Sequence, residues 1–277
     1  MDLTINTASL PLARPFAITG HIFKSTETVR VTVTRDGVSG RGEAAGCYYL
    51  GETTAGMVRQ LSEVIGDIHQ EITPADLQTL LPPGGARNAL DCALWDLSAK
   101  TAGTRVWTLL SIAPKTLRTV YTLGIDEPRV MAEHAAARMQ YPQLKVKLDD
   151  DRPIEKLEAI RAARPDATLI IDVNQGWTFA ELREYLPHCK RLGIAMIEQP
   201  LPRGEDDALE GFRSPVPLGV DESCLHLGEF EQASRRYSVL NIKLDKCGGL
   251  TEGLALVRAA QKSGMELMVG NMMGSSL

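Results

Sequence analysis

The sequence predicts an α/β barrel preceded by a smaller α+β domain. Beyond residue 115, short apolar runs recur about every 24 or 25 residues with helical patterns between them, which is typical of parallel βαβ units. Before that point, strand-like segments come first and helical segments follow, which indicates segregated strands and helices. The composition is that of a globular protein, since 44% of the residues are hydrophobic and 23% are charged.

The α+β domain is expected to span residues 1–115. Its strand-like segments are residues 2–8, 28–34 and 40–45. In the second segment, Val29, Val31 and Val33 alternate with polar residues, which is the pattern of a half-buried strand. The helical patterns lie near residues 53–68, 74–80 and 85–103.

The barrel domain is expected to span residues 116–277 and to contain seven strands. Its apolar runs are Thr119–Leu123, Leu144–Leu148, Leu169–Asp172, Ala195–Glu198, Leu218–Asp221, Leu240–Leu244 and Glu266–Val269. The helical patterns between them include residues 153–163, 179–192 and 251–263. Seven strands nearly fill an eight-stranded barrel, and an open barrel would expose a long parallel edge. We therefore expect the natural protein to continue past Leu277 into a last barrel strand that this chain lacks.

Charge and cysteine usage exclude several classes of protein. The net charge of −5 argues against a nucleic-acid binder, which usually carries a basic face. The five cysteines are widely spaced and form no C-x-x-C pair, so reduced thiols are expected rather than a zinc or disulfide framework. Because neither a signal peptide nor an apolar run of membrane length is visible, we expect a cytoplasmic protein that binds neither nucleic acid nor membrane.

Three acidic residues end successive barrel strands. Asp172, Glu198 and Asp221 close the third, fourth and fifth apolar runs, and barrel enzymes carry their chemistry at these strand ends. Each acid taken singly is equally well explained as a helix cap or a surface ion pair. Three at the same place on neighbouring strands predict a shared cation, and oxygen ligands favour Mg²⁺ or Mn²⁺ over zinc.

Lysines flank the acids on either side. Lys145 and Lys147 lie on the second barrel strand and Lys243 lies on the sixth. Side chains two residues apart point the same way, so the paired lysines should both face inward. Two adjacent ammonium groups disfavour each other's charge, and the pKa of one is expected to fall toward neutrality, as a lysine base requires. Lys145 could instead stay charged and bind a substrate carboxylate.

These groups together predict proton abstraction next to a carboxylate. Loss of the α-proton turns a metal-bound carboxylate into an enediolate, whose charge the cation stabilises. An amine on each face allows one lysine to remove the proton and the other to return it, which is racemisation or epimerisation. One lysine combined with a leaving group would instead perform β-elimination or cycloisomerisation. A barrel that binds its ligand without turnover is the alternative outside enzymology.

Six short motifs occur in order along the chain. They are Ala86–Lys100, Lys145–Lys147, Asp172–Asn174, Glu198–Pro200, Asp221–Ser223, and Asn241–Lys243 followed by Lys246–Gly249. In these motifs the sequence resembles the enolase superfamily and, within it, the muconate-lactonising-enzyme subgroup. The resemblance implies a modified TIM barrel, (β/α)7β, with an N-terminal capping domain and Mg²⁺ on the three strand-end carboxylates. It also implies that Lys147 and Lys243 are the two bases and that Lys145 assists Lys147.

Within that subgroup, the sequence is similar to dipeptide epimerases of the L-Ala-D/L-Glu type. The likeness lies in the segments NALDCALWDL, LKVKLD, EQPLP, DESC and NIKLDK. It implies a small carboxylate substrate, specifically a dipeptide, and is compatible with a homo-oligomer. Those enzymes hold the dipeptide's amino group with an Asp-x-Asp pair on the eighth strand, which is not present here. Muconate cycloisomerase, o-succinylbenzoate synthase and N-acylamino acid racemase remain the alternatives.

Four further residues are candidates for contacts with the substrate or for support of the metal. Asn174 follows the first acid and is expected to stand behind the metal ligands. Lys24 ends the capping loop Ile18–Lys24, in which glutamyl-specific members often place an arginine; it either anchors a carboxylate or faces solvent. Tyr48, in the second capping loop, and Met272, after the seventh strand, either line the pocket or serve only packing.

Overall fold

Two β-sheets organise the computed structural model, which describes residues 1–68 and 72–277. The first sheet has three antiparallel strands: β1 (Asp2–Ile18), β2 (His21–Arg35) and β3 (Val38–Ala44). Val29, Val31 and Val33 of β2 are fully buried, as their alternation predicts.

Strands β1 and β2 form one long hairpin whose tip reaches the barrel. Their pairing extends to Ile18, well past the predicted segments, so most of the expected capping loop is strand. The hydroxyl of Thr19, in the turn, lies 2.8 and 2.9 Å from two carbonyl oxygens, those of Leu148 and Val173. These carbonyls directly follow two barrel strands, so the hairpin tip is tied to the barrel rim.

Four helices follow the first sheet: α1 (Thr54–Glu63), α2 (Leu77–Leu80), α3 (Gly85–Thr101) and α4 (Val106–Leu109). The helix predicted near 74–80 forms only the single turn α2. Helix α3 lies on β3 at Gly40 and Gly42, where an added Cβ would collide with the backbone of Ala93 and Ala89. Glycine at these two positions allows the helix to approach the sheet directly.

The second sheet has seven parallel strands in sequence order, which confirms the predicted succession of βα units. The strands are β4 (Tyr121–Leu123), β5 (Gln143–Lys147), β6 (Thr168–Asp172), β7 (Ile194–Glu198), β8 (Leu218–Val220), β9 (Val239–Lys243) and β10 (Glu266–Gly270). The helices are α5 (Pro128–Ala136), α6 (Pro153–Ala163), α7 (Phe179–Arg191), α8 (Phe230–Arg236), α9 (Leu244–Cys247) and α10 (Leu250–Ser263). Helices α5 and α8 were not predicted, because with only nine and seven residues they are too short to show a clear helical period.

Each sheet has its own hydrophobic core. One core lies between the three-stranded sheet and α1 to α3, and the other surrounds the barrel strands. The two cores agree with two domains, while a boundary near residue 115 stays a prediction. No helix in the described part of the chain combines the length and the apolar character that a membrane span requires.

Candidate active site

The carboxyl ends of the parallel strands bring the predicted ionisable residues to one rim. Lys147 at the end of β5 lies opposite Asp172 of β6, and Asp172 lies opposite Glu198 of β7. Asp221 directly follows β8, and Lys243 ends β9. The carboxyl ends of neighbouring parallel strands share an edge, so the sheet alone places these side chains together.

The carboxylates and amines of this rim alternate in space. Lys145 Nζ lies 2.7 Å from Asp172 Oδ2 and 2.7 Å from Glu198 Oε2, and Lys147 Nζ lies 2.7 Å from Asp172 Oδ2. Lys243 Nζ lies 2.5 Å from Asp221 Oδ2. All three carboxylates are fully buried. We name the six groups, Lys145, Lys147, Asp172, Glu198, Asp221 and Lys243, the barrel floor.

The donor chemistry of the barrel floor fits a divalent cation. In the arrangement described for residues 1–68 and 72–277, no three His, Cys, Asp or Glu side chains converge on one point, because amines stand between the acids. Glu198 Oε2 is buried and makes its close contact to Lys145 without a well-directed hydrogen bond. Three buried carboxylates with oxygen ligands to offer match the preference of Mg²⁺.

The charges of the barrel floor shift one another's pKa values. Burial alone would raise the pKa of Asp172, but Lys145 and Lys147 outweigh it and hold the pKa below its usual range. Burial likewise opposes the low pKa of Asp221, which Lys243 and its neighbour Lys246 enforce. The pKa of Glu198 is raised, first by burial and then by the negative charge of Asp172.

The expected lowering of a lysine pKa by the Lys145–Lys147 pair is not found at Lys145. Burial disfavours its charged form, but Asp172 and Glu198 outweigh burial and raise the pKa. Of the two alternatives for Lys145, the raised pKa favours the one in which it stays charged. Asp172 and Glu198 therefore favour the charged form of Lys145.

Asn174 lies directly beside the barrel floor. Its Oδ1 accepts a hydrogen bond of 2.7 Å from Lys147 Nζ, and its Nδ2 donates one of 3.1 Å to Glu222 Oε1. Asn174 has a φ of 47°, a left-handed conformation that asparagine tolerates better than most residues. The amide thereby links the lysine to a carboxylate that sequence reasoning overlooked.

Glu222 is the first of several residues that sequence reasoning missed. It is buried, lines the cavity, and its pKa is raised to about 8 by burial and by the nearby Asp221 and Asp172. The DES motif contains it, but only Asp221 of that motif lies at the end of an apolar run, so no strand-end signal marks the residue that follows.

Asn241 and Lys246 were also missed, and both hold carboxylates of the barrel floor. Asn241 Nδ2 donates a hydrogen bond of 2.8 Å to Glu198 Oε1. It stands two residues before Lys243 and hence on the same side of β9, a signal that strand periodicity contained. The fully buried Lys246 Nζ lies 2.8 Å from Asp221 Oδ1. No periodic pattern marks Lys246, because it lies in α9 beyond the strand.

Gln199 fixes the backbone that carries Asp221. Its Oε1 accepts hydrogen bonds of 3.0 Å from the amides of both Asp221 and Ser223, and its Nε2 donates to Leu201 O at 2.9 Å. Gln199 is fully buried and has a φ of 35°, an uncommon value outside glycine. A conformation of this kind persists where surrounding bonds determine it, as they do here.

A cavity of about 1140 Å³ opens between the barrel floor and the first domain. Tyr48 and Met272 line it, in keeping with their selection from the sequence. Lys24 does not: it is exposed on β2 and absent from the lining, whereas its neighbours Phe23 and Ser25 line the cavity. Alternation along the strand directs Lys24 to the opposite side, which favours the alternative in which it faces solvent.

Comparison with known proteins identifies relatives over nearly the whole chain. A model described as "Mandelate racemase / muconate lactonizing enzyme, N-terminal domain" matches residues 1–111, and one described as "Enolase C-terminal domain-like" matches residues 129–277. The L-Ala-D/L-Glu epimerase of Escherichia coli (strain K12) is 41% identical over 269 residues, 96% of this chain and 84% of that protein. The N-acetyl-D-glutamate racemase of a Pseudoalteromonas species is 46% identical over 203 residues, 73% of this chain and 64% of that protein.

Solved structures agree with these sequence matches. An enolase family member from Agrobacterium tumefaciens with homology to dipeptide epimerases, solved with sodium and L-Ala-L-Glu, has a TM-score of 0.94 at 36% identity, covering 99% of this chain and 84% of that one. A dipeptide epimerase from Enterococcus faecalis V583, complexed with Mg and L-Leu-L-Tyr, has a TM-score of 0.91 at 27% identity, covering 98% and 81%. With both family models matched in order and the barrel and capping sheet in place, this chain belongs to the mandelate racemase/muconate lactonizing enzyme family of the enolase superfamily.

Proposed function

We propose that this protein is a magnesium-dependent isomerase that epimerises the α-carbon of a dipeptide, as its L-Ala-D/L-Glu epimerase relatives do by name. The observation that carries the proposal is the placement of Lys147 and Lys243. They come from β5 and β9, and the strands between them supply the three buried carboxylates. An amine therefore stands on each side of the acid cluster.

Asp172, Glu198 and Asp221 are the residues that would hold Mg²⁺. When bound, the ion supplies positive charge that stabilises the negative charge developing on the substrate carboxylate. Asn241 and Lys246 keep Glu198 and Asp221 in place from behind. Lys145, which pairs with two of the carboxylates, remains a cation and offers a partner for the substrate carboxylate.

The two remaining lysines carry the proton. One amine, in its neutral form, takes the α-proton, and the electrons of the broken C–H bond pass into the substrate carboxylate. The opposite ammonium then gives a proton to the other face of the same carbon, which inverts its configuration. The reaction consumes no oxidant or reductant, and the lysines exchange one proton with solvent to return to their starting states.

An N-acylamino acid racemase is the second candidate function. The observation that favours it is the 46% identity to a protein named N-acetyl-D-glutamate racemase. Both reactions invert an α-carbon that carries a carboxylate and an acylated nitrogen, so the barrel floor serves either. The difference between them lies in the group attached to that nitrogen.

The test is proton exchange in D₂O with added Mg²⁺. Incubation with L-Ala-L-Glu or N-acetyl-L-glutamate should yield the opposite epimer with deuterium at the α-carbon. NMR measures both the epimer and the deuterium. A cycloisomerase or dehydratase would give no epimer of either compound. If no dipeptide and no N-acylamino acid of any side chain exchanged its α-proton, the proposed function would be wrong.

We also propose a cytoplasmic location and a division into domains near residue 115. All five cysteines, each within the described residues, are free thiols, as expected in a reducing compartment. The two hydrophobic cores support the division into domains. A homo-oligomer is proposed by analogy to the family, and light scattering of the purified protein tests it.

A further inference from the structure

The side of the cavity that faces the first domain is built of aromatic rings. Four aromatic side chains line the cavity there: His21 and Phe23 of β2, and Tyr48 and Tyr49 of the turn after β3. His21 stacks on Tyr48 with ring centroids 5.0 Å apart, and Phe23 meets Tyr48 edge to face at 5.2 Å. We name these four residues the aromatic patch.

The aromatic patch is held in place by strand pairing and by a half-buried carboxylate. His21 and Phe23 stand two residues apart on β2 and therefore face the same side. The turn that carries Tyr48 is tied down by Glu52, which accepts hydrogen bonds from the amides of Cys47 at 2.7 Å and Gly85 at 2.9 Å. The rings thus form a preorganised surface rather than the side chains of a free loop.

The charge on this side of the cavity is negative. In the described part of residues 1–111, no lysine or arginine lines the cavity, whereas Glu27 and Glu52 do. The lysines of the barrel floor are already paired with carboxylates. Arg118 lines the cavity from the barrel domain, just before β4. A substrate carboxylate placed against the aromatic patch would lose water without gaining a described lysine or arginine of the first domain as its partner, which is costly.

We propose that the aromatic patch selects substrates whose side chain is aromatic or large and apolar, rather than acidic. The inference rests on the proposed function and names its substrate class. The proposed substrate class differs from the one named for two relatives, because the proteins that are 41% and 46% identical are both named for glutamyl substrates. Rings that stack edge to face on one another offer the same contacts to a phenyl or phenol ring of the ligand.

The first experiment compares L-Ala-L-Phe with L-Ala-L-Glu as substrates in D₂O with Mg²⁺. We expect kcat/KM to favour L-Ala-L-Phe at least about tenfold, since a hydrophobic site discriminates apolar groups to this extent. Equal or better turnover of L-Ala-L-Glu would overturn the inference. So would a preference for L-Ala-L-Glu that Arg118→Ala removes, because recognition would then come from the barrel side.

The second experiment places a cation in the aromatic patch. The ratio of kcat/KM for L-Ala-L-Phe to kcat/KM for L-Ala-L-Glu should fall at least about tenfold in Phe23→Arg, because the new cation gives L-Ala-L-Glu a charge-assisted contact. Ile22→Arg is the matched control, because Ile22 is 61% exposed on the other face of the same strand. An equal effect of both variants, or none of Phe23→Arg, would contradict the role of the patch.

Calorimetry separates a failure of this inference from a failure of the proposed function. If neither dipeptide exchanges its α-proton, the proposed function fails, and binding of the same two dipeptides still tests the patch. Tighter binding of L-Ala-L-Phe that Phe23→Arg weakens would support the inference. Tighter binding of L-Ala-L-Glu to the wild-type protein would overturn it.

Discussion

The barrel floor and the aromatic patch face each other across one cavity, and they are built on opposite principles. In the barrel floor each lysine lies within 2.7 Å of a buried carboxylate, and any single change removes at least one partner of a buried charge. In the aromatic patch the rings contact one another. A ring can change without unpairing an ion. The difference suggests that the chemistry of this protein is constrained by its barrel, while substrate choice can vary in the capping domain at little cost in stability.

Substitution of Lys147 or Lys243 should lower the rate of epimerisation more than any other change. A small effect would contradict the assignment of the chemistry to the barrel floor. Lys147→Ala and Lys243→Ala should each lower the rate of epimerisation at least about 10³-fold, near the upper range for a catalytic base. Each variant keeps one amine, so each should still exchange the α-proton of one epimer, and the two variants should exchange opposite epimers. NMR with separate L- and D-epimers in D₂O measures this.

Two controls accompany the lysine variants. The double variant should exchange neither epimer, and Lys190→Ala, an exposed lysine on α7, should exchange both at the wild-type rate. Loss of exchange from the same epimer in both single variants would contradict an amine on each face of the substrate.

Removal of one acidic ligand should give the next largest effect. Glu198→Gln keeps an acceptor for Asn241 but removes a negative charge from the barrel floor. The apparent affinity for Mg²⁺ should fall at least about tenfold, and turnover about 10²-fold, since the positive charge near the reacting carboxylate is less firmly held. Titration of the activity with Mg²⁺ measures the turnover and the apparent affinity. Electron paramagnetic resonance of bound Mn²⁺ measures the metal affinity independently of activity.

The matched control for the acidic ligand is Glu184→Gln, an exposed glutamate on α7. Treatment of the wild-type protein with EDTA should abolish exchange, and Mg²⁺ should restore it. Unchanged Mn²⁺ affinity in Glu198→Gln would remove Glu198 from the proposed ligand set.

A variant of the aromatic patch should give a smaller effect of a different kind. Tyr48→Ala removes the ring that contacts both His21 and Phe23. We expect KM for L-Ala-L-Phe to rise about tenfold while kcat changes less than about threefold, because lost uniform binding acts on KM. Leu50→Ala, two residues on and 42% exposed, is the control and should leave KM unchanged. A fall in kcat comparable to that of the lysine variants would erase the distinction between the two regions.

Sequence reasoning reached the barrel floor because a strand end is a local signal. Asp172 and Glu198 each close an apolar run, Lys243 lies within one, and parallel pairing alone then brings the runs to a common rim. The same logic could have found Asn241 through its two-residue spacing from Lys243. It could not have found Lys246, which reaches Asp221 from a helix turn after the strand.

The capping side was harder to predict because its geometry depends on long-range pairing. Periodicity located β2 but not its extension to the hairpin tip, which depends on the opposite strand β1. A loop at residues 18–24 has no period-two alternation, so its prediction gave no means of separating Phe23 from Lys24. The choice between the two roles left open for Lys145 depended on long-range pairing as well, since its partners lie on two other strands.

Substitution of Lys24 should give the smallest effect on kcat/KM, and it tests whether a cation outside the aromatic patch contributes to substrate choice. Because Lys24 is exposed and directed away from the cavity, Lys24→Ala should change kcat/KM for L-Ala-L-Phe and L-Ala-L-Glu less than about twofold, the range of an exposed charge. The neighbouring Phe23→Arg, measured in the same assay, shows what a cation does when it faces inward. A loss confined to L-Ala-L-Glu in Lys24→Ala would mean that this lysine reaches the substrate after all. The capping domain would then recognise an acidic side chain, and the contrast between a charged floor and an uncharged patch would no longer hold.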